Sequence, residues 1–437
     1  MNIVIIGGSF AGITAAVTAR NTFKKASITL LEKEETIGFI PGALHCLLNG
    51  EIESLEEAHF ITIEELEKQN IQVILNAKVE TMETASQQVT YQKKNQLKVM
   101  TYDKLILATG SVQNSYRIKG IESTKILKYK TVEKTKEALE LVRKNDVFTI
   151  VGGGQIGIEM ADCLINQNKK VQLIESMNGI LVKYFDQEMI APLLKEMEDK
   201  GVVLRFNETV KEIQEIDEQL VLKTQNHKIE SDCAVFALSV KPTIPYLDPK
   251  VRCHEDGAIV VDEYLQTSIR NVFAIGDSIQ MHSSLSDETF YISLTNNAVR
   301  TGVVVIDNLM KPQTQFIGTA RTIGTKVFGY YIASVGMTET ESIFFDEEIS
   351  VTHVSQPASL FNKQQTINGK LIYNAVSGKI LGAQLISKVN MLEKINTLSL
   401  SIQMGMTVTD LAQKDYFFHP SWSTVYDITN QLGLMKD

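Results

Sequence analysis

The chain has 437 residues, 43 Lys plus Arg against 52 Asp plus Glu for a formal charge of -9, and 44% hydrophobic residues. That length and apolar content allow about three domains with packed cores, which excludes a disordered or fibrous chain. A mildly acidic chain without a basic block gives no electrostatic reason to expect nucleic acid or a membrane surface as partner.

The N-terminus runs straight into Ile3-Val4-Ile5-Ile6, with no basic leader or cleavage site, so it reads as structure rather than an address. After this buried strand come Gly7-Gly8-Ser9-Phe10-Ala11-Gly12 and the helix-like run Ile13-Thr14-Ala15-Ala16-Val17. A strand, a tight glycine turn and a small-residue helix start are what a pyrophosphate needs. Gly7 permits the turn, a small residue at 9 lets phosphates approach, and Gly12 packs helix on strand. The helix N-terminus adds unpaired N–H groups and partial positive charge. Ser9 departs from the usual middle glycine, but the strand Ile28-Thr29-Leu30-Leu31 ends in Glu32, placed to bind a ribose 2′-hydroxyl.

Further on, Tyr102-Asp103-Lys104-Leu105-Ile106-Leu107 is a buried strand that ends in the turn Ala108-Thr109-Gly110. The nucleotide pattern then recurs. Val147-Phe148-Thr149-Ile150-Val151 leads into Gly152-Gly153-Gly154-Gln155-Ile156-Gly157, and Val171-Gln172-Leu173-Ile174 ends in Glu175. Glu175 would accept a 2′-hydroxyl and repel a 2′-phosphate, so this site should prefer NADH to NADPH. Lys169 and Lys170 are a mild counter-signal that a solvated loop explains. Asn271-Val272-Phe273-Ala274-Ile275 is a strand delivering Gly276-Asp277, a buried acid that must hold something polar. Two nucleotide units in one chain imply electron transfer between two nucleotides. The longest apolar runs, 103–110 and 147–158, fall short of the roughly 20 residues that cross a bilayer. Cys46, Cys163, Cys233 and Cys253 lie apart, with no C-x-x-C and no metal spacing, so neither disulfides nor zinc are expected and a cytoplasmic location is the default.

These motifs together resemble the pyridine nucleotide-disulfide oxidoreductases, and among them the NADH oxidase, NADH peroxidase and coenzyme A-disulfide reductase subgroup. The resemblance implies an α/β fold with two Rossmann-like domains and a C-terminal α+β dimerisation domain. It puts the FAD domain at about 1–115 and 248–315, the NAD(P)H domain at about 116–247, and the interface domain at about 316–437. It assigns Gly7, Ser9, Phe10, Ala11, Gly12, Glu32, Lys33, Pro41, Val79, Ala108, Thr109, Gly110, Gly276 and Asp277 to FAD. Leu294, Thr295 and Ala298 belong to a helix beneath the flavin, within Leu294–Gly302. NADH falls to Gly152, Gly154, Gln155, Ile156, Gly157, Glu159 and Glu175. Phe185-Asp186-Gln187-Glu188 also matches the subgroup. A homodimer is implied, in which the tail Asp415–Trp422 approaches the partner's flavin site. Within one chain, such an aromatic run also suits plain core.

The chain departs from the subgroup in three places. The redox cysteine sits in a stretch resembling Ser-Phe-Leu-Ser-Cys-Gly, and here Gly38-Phe39-Ile40-Pro41-Gly42 puts Gly42 at that position. Phe10 stands where oxidases and peroxidases carry a histidine, and Gln155 where the group has an aromatic. Cys46 is one helical turn past Gly42, about 6 Å on, and reads either as a core thiol or as a displaced redox thiol. Cys163 and Cys233 read as core. Neither Cys253 with His254 nor Cys46 with His45 makes a nucleophile–base pair, because adjacent residues point apart. His419 either reaches the partner's flavin or caps the loop before Pro420.

The catalytic candidates are therefore Gly42, Cys46, Phe10 and His419. The expected activity is an FAD-dependent NADH oxidoreductase that passes hydride to flavin and electrons to dioxygen or another small acceptor, without a redox cysteine. A thiol-using disulfide or persulfide reductase relying on Cys46, and a flavin-bearing sensor with little turnover, are the alternatives.

Overall fold

The computed structural model describes residues 1–113, 118–242, 244, 246–286, 288–344 and 348–434. The expected domain boundary at 115/116 lies outside these residues. A first parallel sheet runs in the order Val272–Ala274, Lys104–Leu107, Asn2–Ile6, Ser27–Leu31, Ile71–Ile74. Its central strands are near-continuous apolar runs because both faces are covered: Ile3, Val4, Ile5, Leu105, Ile106 and Leu107 are all buried. The helix Phe10–Thr22 crosses over between the first two strands.

A second parallel sheet repeats the plan in the order Val203–Arg205, Lys170–Ile174, Val147–Val151, Cys233–Phe236, Ile126–Leu127. Its crossover helix is Gln155–Asn166. The duplication extends beyond the glycine turns. Each unit carries an antiparallel three-stranded meander before a later strand of its sheet: Lys78–Glu83, Gln88–Lys93, Gln96–Thr101 in one, and Glu212–Ile216, Gln219–Lys223, Lys228–Ser231 in the other. The two units are bridged by an antiparallel ribbon of Ser111–Gln113 with Val240–Pro242.

The C-terminal unit is a five-stranded antiparallel sheet, ordered Ile323–Val327, Tyr330–Gly336, Ile380–Ser387, Thr366–Asn374, Ile349–Pro357. The helix Lys394–Gln403 packs against this sheet. One hydrophobic cluster fuses Leu44 and Leu48 of the helix Ala43–Leu48 with Ile158 and Leu164 of the second unit and with Ile323, Val327 and Phe328 of the C-terminal sheet. Beside it lies a charged joint. Lys370, 0% exposed, sits 2.8 Å from Asp186 and 2.6 Å from Glu339, and also bonds Glu188. Asp186 also accepts from the Thr340 N–H at 3.0 Å and from the Gln384 amide at 2.7 Å. Burial alone would raise the Asp186 pKa, but Lys370 and the Thr340 donors bring it down to about 2. Among the described residues no helix is long and apolar enough to cross a membrane.

Candidate functional site

The two glycine turns repeat the same close approaches. Gly7 holds φ +117° and a Cβ there would lie 2.1 Å from the Ala108 carbonyl oxygen; Gly152 holds φ +113° against the Ala237 oxygen at 2.5 Å. A Cβ on Gly12 or Gly157 would strike the Gly7 or Gly152 carbonyl oxygen, at 1.9 and 2.0 Å. Larger residues cannot form either turn. The acids repeat as well. Glu32 accepts from the Gly8 N–H at 2.6 Å and the Glu34 N–H at 2.9 Å, and Glu175 accepts from Gly153 at 2.6 Å and Met177 at 2.8 Å. Ser9 and Gly154 are the helix N-caps, neither with a side-chain cap, so both helix starts keep their N–H groups free for a phosphate. Ile156, in the first turn of the second helix, is exposed, whereas Val79 is buried. Lys33 extends to Glu34, 3.7 Å away, at the surface.

The first turn opens onto a cradle of small residues. A Cβ on Gly276 would lie 2.9 Å from the Ala11 Cβ and 3.6 Å from that of Ala298, so Ala11, Gly276 and Ala298 meet at one point. Leu294 caps the helix Thr295–Asn308, and Thr301 on that helix accepts the Gly276 N–H at 3.0 Å. Asp277 accepts from the Ser111 hydroxyl at 2.8 Å and also from Ser293. Gly110 takes φ +69° just before Ser111. Two polar atoms here, Thr109 Oγ1 and Asn297 Nδ2, are buried with no hydrogen-bond partner among the described residues. Asp277 is half-buried rather than the buried acid expected, because it stands at the rim of the cradle; a cradle closed to any Cβ, a half-buried carboxylate among hydroxyls and orphaned polar atoms fit a polar, extended group such as FAD. Lys130, which has no motif to announce it, also reaches this place, donating to the Ser111 hydroxyl and carbonyl at 3.1 Å.

Gly42 follows Pro41 and is the N-cap of the helix Ala43–Leu48, and a Cβ placed on it meets nothing within 4 Å among the described residues. Space is open where the subgroup's thiol would stand. Cys46 lies one turn on, its N–H bonded to the Gly42 oxygen at 3.3 Å. Burial, then a hydrogen bond to Glu51 and its charge, push the Cys46 thiol up. That is the reverse of what a redox thiolate needs. Cys163 and Cys233 are core, as expected, with thiols pushed by burial to about 12 and about 11. Phe10 stacks face to face on Phe60, centroids 4.5 Å apart and planes at 6°.

Gln155 and Glu159 are brought together: the Gln155 amide donates to Glu159 Oε1 at 2.9 Å. The same oxygen accepts from Thr325 of the C-terminal sheet at 2.6 Å. His45 lies across the gap, its Nδ1 3.7 Å from Glu159 Oε2. The spacing argument weighed His45 only against Cys46 and could not see the acid opposite. His419 is not brought to this place within the chain. Its N–H donates to Ser423 at 3.0 Å and its Nδ1 accepts from Ser421 at 3.2 Å, which makes it a turn cap. The aromatic run around it is not core: Phe417 is 73% exposed and Trp422 74%.

The sequence profile of the pyridine nucleotide-disulphide oxidoreductases matches residues 1–302, and that of their dimerisation domain matches 322–428. An NADH oxidase of Enterococcus faecalis (strain ATCC 700802 / V583) is 31% identical over 439 residues, covering 99% of this chain and 98% of the relative. A crystal structure of a pyridine nucleotide-disulfide family oxidoreductase from Enterococcus faecalis V583 is 45% identical with a TM-score of 0.91, over 99% of this chain and 98% of the other. The water-forming NADH oxidase of Lactobacillus brevis, bound to NADH, is 28% identical with a TM-score of 0.95, over 99% and 97%.

Proposed function

The chain belongs to the pyridine nucleotide-disulphide oxidoreductase family and is an oxidoreductase, and from that premise we propose an FAD-dependent NADH oxidoreductase that delivers electrons to dioxygen or another small acceptor without a redox cysteine. The observation that carries this reading is Gly42, an N-cap with open space above it, together with a Cys46 thiol raised by burial and by Glu51. Bound FAD would supply the chemistry of accepting a hydride and releasing electrons.

The residues of the chain do the binding and orienting. The Gly7–Gly12 turn, Glu32 and the Asp277 cluster hold FAD, with Thr109 and Asn297 offering it their unpaired polar atoms. The Gly152–Gly157 turn holds the NADH pyrophosphate, and Glu175 takes the adenosine ribose and repels the extra phosphate of NADPH. Gln155 and Glu159, fixed against each other, face the nicotinamide end. Phe10 on Phe60 presents a wall with no proton to give, and no thiol stands at Gly42 to finish a four-electron reduction. Dioxygen should therefore leave as hydrogen peroxide. The match to the dimerisation domain and the exposed Phe417, Phe418 and Trp422 support a homodimer, with units divided near residues 115, 247 and 315.

The test is product stoichiometry. The purified yellow protein turning over NADH in air should yield about one peroxide per NADH, because direct return of electrons from flavin is a two-electron event. Water as the sole product would overturn the cysteine-free reading.

A further inference from the structure

The NADH site contains a buried histidine to which the reading above gives no task. The His45 side chain is 12% exposed, and its Nε2 is buried with no hydrogen-bond partner among the described residues. Its Nδ1 stands 3.7 Å from Glu159 Oε2, too far for a hydrogen bond but within reach of an ion pair once the ring is charged. Glu159 Oε1 is already taken by Gln155 and Thr325. Oε2 is the oxygen with capacity left for a ligand.

We infer that His45 is a positioning residue for Glu159: the neutral ring leaves Oε2 free for a polar hydrogen of the dinucleotide, and the protonated ring captures that oxygen and weakens NADH binding. This rests on the NADH reading of the site. The groups facing the ring are few. Glu159 and Cys163 come from the helix Gln155–Asn166, Cys163 donating to the His45 carbonyl at 3.9 Å. The Tyr129 ring lies 5.6 Å away, and Glu51 follows the histidine's own helix, next to Cys46. Burial lowers the His45 pKa from its ordinary value, and the attraction of Glu159 and Glu51 offsets only part of that. The ring is thus neutral near pH 7 and charges on acidification, when it finds a carboxylate waiting. Simple space-filling between two helices explains the burial but not the acid placed opposite a ring nitrogen.

The test is anaerobic NADH titration of the holoenzyme, read as flavin bleaching, between about pH 7.5 and about pH 5.5. The wild-type dissociation constant should rise about threefold across that range, because a ring whose pKa lies below its ordinary value can transmit less than about tenfold between these two pH values. In His45→Gln and in His45→Asn, compared each with itself across pH, the rise should fall below about twofold. Glu159→Gln, which keeps the size of the side chain but removes the charge, should flatten it too. A space-filling role shifts affinity equally at every pH, so a wild-type rise that persists in both His45 variants overturns the inference. So does a flat wild-type profile. Absence of bleaching at every pH would instead remove the NADH reading beneath it.

Discussion

The Thr325 hydroxyl donates to Glu159 Oε1 at 2.6 Å, although Thr325 belongs to the C-terminal sheet and Glu159 to the helix that starts at the second glycine turn. A carboxylate at the proposed NADH site is thus held from outside its own unit. Thr325→Val removes the donor at nearly constant volume. A hydrogen bond to a charged group contributes about 1.5–3 kcal/mol, so the NADH dissociation constant should rise by about tenfold or more. An anaerobic titration at neutral pH checks it, with thermal stability as the control.

Cys46 should be dispensable. Its thiol is raised by burial and Glu51, so Cys46→Ser leaves no nucleophile missing. NADH-driven flavin reduction in this variant should stay within about twofold of wild type, measured by stopped flow; a loss of about a hundredfold would restore the thiol mechanism.

Glu175 should set the coenzyme preference. Its carboxylate is pinned by the Gly153 and Met177 N–H groups and the Ser176 hydroxyl. Like-charge juxtaposition costs several kcal/mol, so Glu175→Ser should lower the NADH-over-NADPH ratio of kcat/KM by at least about tenfold. An unchanged ratio would place discrimination elsewhere.

The Asp186–Lys370 joint should carry much of the attachment between the second unit and the C-terminal sheet. Lys370→Met leaves Asp186 buried without its cation, which costs about 3–5 kcal/mol in chemical denaturation. Asp186 is depressed to about 2 in the fold. Its stabilisation is therefore complete above the ordinary carboxylate value and is lost as pH falls from there towards about 2. The Lys370→Met protein should lose that acid-side slope.

Both glycine turns, their trailing acids and the Gly276-Asp277 strand end were legible because each needs local backbone geometry that only certain residues allow. A glycine whose Cβ would strike a carbonyl at about 2 Å leaves its mark in the sequence. The meander strand Gln96–Thr101 carried no comparable mark: it is largely exposed, its apolar Leu97 and Val99 included. Lys130, Thr325 and Lys370 were invisible for a different reason. Each acts on a residue more than a hundred positions away or on another unit, and neither period nor spacing encodes such a contact. His45 was read only against its neighbour Cys46, yet its partner comes from a helix that folding alone brings near.

The most direct test of the cysteine-free assignment is an anaerobic titration of the yellow protein with NADH, followed in the visible spectrum. The account predicts bleaching complete at about one equivalent per flavin, with no long-wavelength band from a thiolate beside the flavin. A second equivalent consumed as such a band grows would contradict it, and would show that a cysteine shares the electrons.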